Sequence, residues 1–211
     1  MDPIPKSGFT LPNRLARITL QSIEEILTPN GIEKLLSLAH LSHLIDHYPA
    51  ANLERGFDFA EMGAINMGLE EMYGPRGGRG MALRVGRTTF SQALGNFGAL
   101  AGMEAIAFKL LPAGRKLKVG LYALARIFNQ ISDQRSSIEE KKDEFHFIVH
   151  RNATCWGRSG EEKPVCYMMV GILQEALQRI SGGREFRVDE SECQAAGGKV
   201  CRFIIHKDPI S

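Results

Sequence analysis

Residues 190–201 read Glu-Ser-Glu-Cys-Gln-Ala-Ala-Gly-Gly-Lys-Val-Cys, with a glycine pair between two stretches of strand character. If Ala196-Gly197-Gly198 form the loop of a hairpin, Cys193 and Cys201 stand opposite each other on adjacent strands, with β-carbons about 4.5–5.5 Å apart. The last glycine of that loop supplies the positive φ that such hairpins use. The stretch therefore predicts a hairpin, with strands over 185–190 and 201–206, that brings two thiols together.

A helix and two further strands are predicted directly before this hairpin. Pro164 suits the first position of a helix that runs to about residue 180. Apolar residues alternate over 144–151, which is the period of a strand, and a returning strand is predicted over 153–156. Residues 132–142 are charged and predict a polar connector. The expected order is strand, strand, helix, strand, strand.

The first two thirds of the chain show the apolar spacing of helices. It predicts helices at 15–27, 32–45, 57–73, 93–111 and 117–131, with a flexible glycine-rich break at 74–80. We therefore expect an α+β fold in which N-terminal helices pack on a small antiparallel sheet. A single domain over 1–211 is expected, with a mainly helical part over 1–140 and an α/β part over 141–211.

Composition and charge narrow the class of protein. The chain has 211 residues, 44% of them hydrophobic, and a formal net charge of +2, which gives no reason to expect a nucleic-acid partner. The N-terminus lacks an apolar stretch of signal-peptide length, so we expect a cytoplasmic protein.

The apolar helix predicted over 93–111 has about the length of a membrane span. It carries Asn96, Glu104 and Lys109, and charged residues inside a span are costly, so a buried helix is favoured. Its glycines would allow close helix packing, including packing across a dimer interface, and they are Gly95, Gly98 and Gly102.

The cysteines predict a metal site. Cys166 falls in the first turn of the predicted helix, where the helix dipole favours a thiolate. Together with Glu190, Cys193 and Cys201 it makes a set of four ligands that suits a structural zinc ion, because no coordination position stays open. The alternatives are a disulfide between Cys193 and Cys201, or small buried thiols without a metal. Cys155 could replace Glu190 as the fourth ligand, although a cysteine beside a tryptophan is more often a core residue.

Two segments carry a resemblance to a known family. The run Pro164-Val165-Cys166-Tyr167-Met168-Met169-Val170-Gly171, followed by residues 190–197 and Cys201-Arg202-Phe203, resembles the 4-vinyl reductase domain family. The resemblance covers about the last seventy residues, and the helical part more loosely. It implies a fold similar to subunits of the TRAPP vesicle-tethering complex, commonly a homodimer.

The same resemblance extends to the sensor domains of phenol-responsive transcription activators. Those sensors bind zinc through three cysteines and a glutamate, and the matching positions here are Cys166, Glu190, Cys193 and Cys201. The resemblance thus implies a zinc cofactor. Other family members are linked to bacteriochlorophyll synthesis, but no flavin or nicotinamide site is recognisable in this sequence.

The histidines and hydroxyl residues give little sign of an enzyme. No serine-histidine-aspartate or cysteine-histidine arrangement follows from spacing, so an enzyme is the weaker class. His40, His43 and His47 lie at positions i, i+3 and i+7, which predicts a shared face of the second helix that would be exposed or would bind a metal or a tetrapyrrole.

Three hypotheses of function follow. The first is a non-catalytic binding module for a hydrophobic or aromatic small molecule, with Phe145, Phe147, Trp156 and Tyr167 as candidate wall residues. The second is an accessory protein or reductase of tetrapyrrole synthesis. The third is a dimeric assembly protein, by analogy with the tethering subunits.

Overall fold

The computed structural model describes residues 2–101 and 111–210, without the side chains of 95–101 and 113. The helices are α1 (Asn13–Leu27), α2 (Pro29–Leu38), α3 (Phe59–Ala101), α4 (Ala113–Ile131) and α5 (Tyr167–Ser181). The strands are β1 (Thr10–Pro12), β2 (Arg55–Asp58), β3 (Arg135–Glu140), β4 (Glu144–Arg151), β5 (Phe186–Glu192) and β6 (Cys201–Pro209). Short 3₁₀ turns lie at Ser42–Leu44, Ala153–Cys155 and Gln194–Ala196.

The main sheet has four antiparallel strands in the order β3-β4-β6-β5. This confirms an α+β fold with an antiparallel sheet and the order strand, strand, helix, strand, strand. The small β1-β2 pair lies outside that sheet. One face of β4 and β6 is closely packed, because the opposed rings of Phe147 and Phe203 are fully buried there.

The two strands that precede α5 are not those expected. The predicted connector over 132–142 contains β3, whose polar side chains suit an edge strand with one face toward water. The strand predicted over 153–156 is instead the turn Ala153–Cys155. Asn152 causes that turn, since its side-chain oxygen accepts a hydrogen bond from the amide of Thr154 at 3.0 Å and so diverts the backbone.

Helix α3 replaces the predicted flexible break with a single kink. Only Gly74 leaves the helical region, at φ 72° and ψ 169°, and Pro75 then opens the second part of the helix. Residues 75–80 are helical, so the helix predicted over 93–111 begins much earlier. Residues 102–110 of that helix, with Glu104, Lys109 and Gly102, lie outside the described residues, as do the side chains around Gly95 and Gly98.

The interior has two large apolar clusters. The first lies between the sheet, α4 and α5, and includes Leu121, Phe145, Phe147, Leu173, Leu177 and Phe203. The second lies among α1, α2 and the first part of α3, and includes Leu20, Ile23, Leu35, Phe57, Phe59 and Ile65. Within residues 2–101 and 111–210, no helix combines the length and the hydropathy needed to cross a membrane.

Two glycines allow α3 and α5 to cross at close range. A methyl group on Gly86 would overlap the carbonyl oxygen of Met168, and one on Gly171 would overlap the carbonyl oxygen of Leu83. Because backbone faces backbone, neither side can yield by rotating a side chain. The crossing connects the N-terminal helices to the helix that lies on the sheet.

Replacing Gly171 with alanine tests this crossing. We expect Gly171→Ala to lower the free energy of unfolding by about 1–3 kcal/mol or more, because overpacking outweighs the gain in helix propensity. The matched control is Gly80→Ala, at an exposed helical position where a methyl group meets nothing within 4 Å. The control should be neutral or stabilising by about 0.5–1 kcal/mol. Equal midpoints of urea unfolding for the two variants would contradict the close crossing.

Candidate functional site

Four cysteines meet at one end of the sheet, each delivered by the end of a different element. Cys155 closes the turn after β4, and Cys166 is the residue before α5. Cys193 follows β5, and Cys201 begins β6, where it pairs with Val149 of β4. The chain thus brings together residues that are up to 46 positions apart.

The local geometry differs slightly from that expected of the hairpin and the helix. The last ladder pair is Glu192 with Arg202, so Cys193 and Cys201 are the next two residues in register. The positive φ of the loop, 85°, is at Gly197 rather than at its last glycine. Helix α5 begins at Tyr167, so Cys166 is its N-terminal cap rather than a first-turn residue.

The distances between the sulfur atoms fit a tetrahedral metal site. The Sγ atom of Cys201 lies 3.6 Å from that of Cys155 and 3.7 Å from that of Cys166, which in turn lies 3.7 Å from that of Cys193. All four sulfurs fall within 4.8 Å of one another. Four sulfurs placed 2.3 Å from one ion would have tetrahedral edges of about 3.8 Å. No disulfide forms among them, since all four are free thiols.

Burial makes this cluster unfavourable without a cation. Each of the four cysteines is at most 3% exposed. Burial raises the pKa of the Cys166 thiol well above its ordinary value, whereas hydrogen bonds with the thiols of Cys155, Cys166 and Cys201 lower the pKa of Cys193. The cluster by itself therefore holds negative charge at Cys193 and keeps Cys166 protonated. A divalent cation would favour the thiolate form at each position.

Neighbouring amide groups add hydrogen bonds to two of the sulfurs. The side-chain amide of Asn152, itself 1% exposed, donates to Sγ of Cys166 at 3.3 Å. The backbone amide of Gln194 donates to Sγ of Cys201 at 3.5 Å. Such donors stabilise thiolates and orient metal ligands.

Glu190 borders the cluster but lies outside the group of four ligand atoms. Its Oε2 atom accepts the backbone N–H of Cys166 at 2.8 Å, and its Oε1 atom is buried without a hydrogen-bond partner. Burial, followed by the negative charge of Cys193, raises the pKa of Glu190 to about 9. The structure thus brings together the three cysteines of the predicted set, places the glutamate beside them, and adds Cys155. The proximity of Cys155 depends on the turn at Asn152, where the sequence suggested a strand.

A cleft of about 560 Å³ lies at the opposite end of the same elements. It is bordered by the last residues of β3, β6 and α5, the first residues of β4 and β5, and the start of α4. Its floor is apolar and buried, and consists of Leu117, Phe145 and Phe186. Since α5 has 15 residues, the cleft and the sulfur cluster are about 22 Å apart along this helix.

The structure does not bring the four candidate wall residues to one cavity. Phe145 lies on the floor of the cleft, and Phe147 is fully buried in the first apolar cluster. Trp156 packs against Phe9 and Phe59 in the second apolar cluster. Tyr167 belongs to that second cluster as well.

The histidine face predicted on the second helix is wrong. Helix α2 ends at Leu38, and His40 has a positive φ of 58°, which turns the chain out of the helix. His43 lies in the 3₁₀ turn, where Nε2 is 3.0 Å from Oε1 of Glu61, and Nδ1 of His47 is 2.9 Å from the carbonyl oxygen of Ile45. These side chains are exposed and belong to separate local structures.

Fold and site together define an α+β module with helices on a four-stranded antiparallel sheet and a buried four-thiol cluster. Residues 145–207 match the family model of the 4-vinyl reductase domain, which confirms the resemblance of the C-terminal third to that family. All residues of the cluster lie within this match. No curated protein matches the chain.

Solved structures with a similar fold include two kinds of sensor-related protein. The phenol-responsive sensory domain of the transcription activator PoxR, solved with phenol, has a TM-score of 0.51 and 19% identity over 72% of this chain and 77% of its own. The Fe(II) unliganded H-NOX protein from K. algicida has a TM-score of 0.56 and 13% identity over 94% and 97%. The H-NOX protein from S. oneidensis has a TM-score of 0.57 and 11% identity over 92% and 99%.

Cobalt(II) spectroscopy distinguishes Cys155 from Glu190 as the fourth ligand. The sulfur geometry predicts that Cys155→Ala removes one of four thiolates and lowers the thiolate-to-cobalt charge-transfer absorbance by about a quarter. The matched variant Glu190→Gln keeps an acceptor for the Cys166 amide and should leave that absorbance unchanged. The reverse pattern, with ligand-field bands altered by Glu190→Gln and charge transfer unaffected by Cys155→Ala, would assign the site to three cysteines and the glutamate.

Proposed function

We propose that this chain is a non-catalytic binding module for a hydrophobic small molecule, with a structural zinc ion at its sulfur cluster. The observation that carries the proposal is the cleft, whose volume of about 560 Å³ lies within the usual range for small-molecule sites and whose floor is apolar. The similar fold of the PoxR sensory domain, which holds phenol, supports it.

Zinc is the proposed metal because the donor set is sulfur-rich and nearly tetrahedral. Four protein ligands leave no open coordination position, so the ion would have a structural role. It would join the ends of β4, β5 and β6 to the start of α5. Cys166, Cys193 and Cys201 are three of the proposed ligands, and either Cys155 or Glu190 is the fourth, with the sulfur distances favouring Cys155.

A haem or other tetrapyrrole is less well supported, although haem is found in the H-NOX family. The sequence has six histidines, all of them among the described residues, and none is buried. Histidine is a common axial ligand of haem, and an enclosed haem would need such a ligand in the interior. The accessory role in tetrapyrrole synthesis, the likeness to TRAPP subunits, the homodimer and the cytoplasmic location stay predictions.

Metal analysis over a range of pH tests the zinc. We expect about one zinc per chain in protein purified without added metal. Protons compete for the thiolates, so the ion should be retained at neutral and higher pH and released as the pH falls. The lowered pKa of Cys193 acts in the same direction, because the stability that its thiolate contributes is present above the ordinary thiol pKa and is lost in acid.

Two further observations complete the zinc test. A chelator should lower the unfolding midpoint, since free metal at 100 times its dissociation constant stabilises a protein by about 2.7 kcal/mol. Zinc content near zero at neutral pH, or a thermal midpoint indifferent to the chelator, would contradict the proposal.

A substitution that fills the cleft tests ligand binding. The neutral fluorescent probe N-phenyl-1-naphthylamine should bind the wild-type chain, and Gly114→Phe should weaken its binding about tenfold, equivalent to roughly 50 Å² of lost apolar contact. Gly114 lines the cleft and has open space beside it. The matched control, Gly80→Phe, lies at an open helical position outside the cleft and should bind normally. Absence of probe binding, or equal binding by both variants, would refute the cleft as the site.

A further inference from the structure

The rim of the cleft carries an excess of positive charge. Arg115, Lys118, Arg184 and Lys207 line it, against the single acidic residue Glu140. The Oε2 atom of Glu140 lies 2.6 Å from Nζ of Lys118, and its Oε1 atom lies 3.3 Å from Nζ of Lys207. The carboxylate is thus shared between the two lysines, which together still outweigh it by one charge.

The two arginines of the rim have no such counterion. Within residues 2–101 and 111–210, no carboxylate forms an ion pair with the guanidinium of Arg115 or Arg184. Both side chains are exposed, one at the start of α4 and the other just after α5. They border the same cleft from two sides.

The start of α4 adds to this positive potential. The first turn of a helix carries a partial positive charge from its unpaired amides. Acidic residues usually occupy that turn, but α4 has none there and places Arg115 and Lys116 in it instead. The sequence thus puts cations where the helix dipole disfavours them, and a bound anion would offset both.

The floor below this rim is apolar. Leu117, Phe145 and Phe186 are each at most 4% exposed and form its base. The ammonium of Lys207 lies 4.7 Å from the centre of the Phe145 ring and donates to the carbonyl oxygen of Lys141 at 2.6 Å, so it is held at the boundary between floor and rim. An apolar base beneath a cationic edge matches a molecule with a hydrophobic body and an anionic head.

We propose that the ligand of this cleft is a hydrophobic carboxylate. Its head group pairs with Arg115 and Arg184, whose planar guanidinium groups suit a carboxylate, and its alkyl or aromatic body lies on Leu117, Phe145 and Phe186. This inference rests on the proposed function, because it names the class of molecule that the same cleft accepts. A neutral hydrophobic molecule would leave the two arginines without a counterion.

A matched pair of probes tests the head group. 4-Butylbenzoate and 4-butylbenzyl alcohol share a body and differ in charge, and each would displace N-phenyl-1-naphthylamine from the full chain at low salt and neutral pH. We expect the carboxylate to displace it at about a tenth of the alcohol concentration, since two charge-assisted hydrogen bonds are gained. Added salt should reduce the difference, because the rim is open to solvent.

Variants of the arginines complete the test. The double variant Arg115→Gln, Arg184→Gln should bind the carboxylate no better than the alcohol, while Arg126→Gln, at an exposed position on α4 outside the cleft, should behave as wild type. Equal displacement by both probes, or unchanged carboxylate binding in the double variant, would overturn the carboxylate assignment and leave the proposed binding function intact. Failure of the naphthylamine probe to bind would instead refute the proposed function, and the carboxylate assignment with it.

Discussion

The convergence of four buried sulfurs at one end of the sheet is the constraint on which the C-terminal part of this structure depends. Thiolates packed at 3.6–3.7 Å repel one another, and burial deprives them of water. A divalent ion converts this repulsion into attraction and joins four chain segments that share few other contacts at that end. The turn at Ala153–Cys155 and the cap of α5 both take the shapes that this convergence requires.

The sulfur cluster and the cleft lie at opposite ends of the same elements. Strands β4, β5 and β6 and helix α5 each begin or end at the cluster, and each reaches the cleft with its other end. A metal at the cluster would therefore hold in register the strands that present Phe145 and Phe186. Close helix crossing at Gly86 and Gly171 joins α5 to the N-terminal helices, so the cleft rests on a well-packed scaffold.

Local sequence patterns predicted the C-terminal hairpin, helix α5 and strand β4, because each has a clear period or a clear end signal. They missed β3, whose polar residues face water at the sheet edge and resemble a loop. They also missed the turn before Cys155, which depends on one asparagine side chain. The three cysteines could be grouped from spacing and resemblance. The fourth sulfur could not be chosen over Glu190, because that choice depends on how β4 ends in three dimensions.

X-ray absorption spectroscopy at the zinc edge, on the full chain as purified, tests the central claim most directly. The account predicts a zinc edge and a first coordination shell dominated by sulfur at about 2.3 Å. An absent zinc edge, or a shell composed only of oxygen and nitrogen, would contradict it.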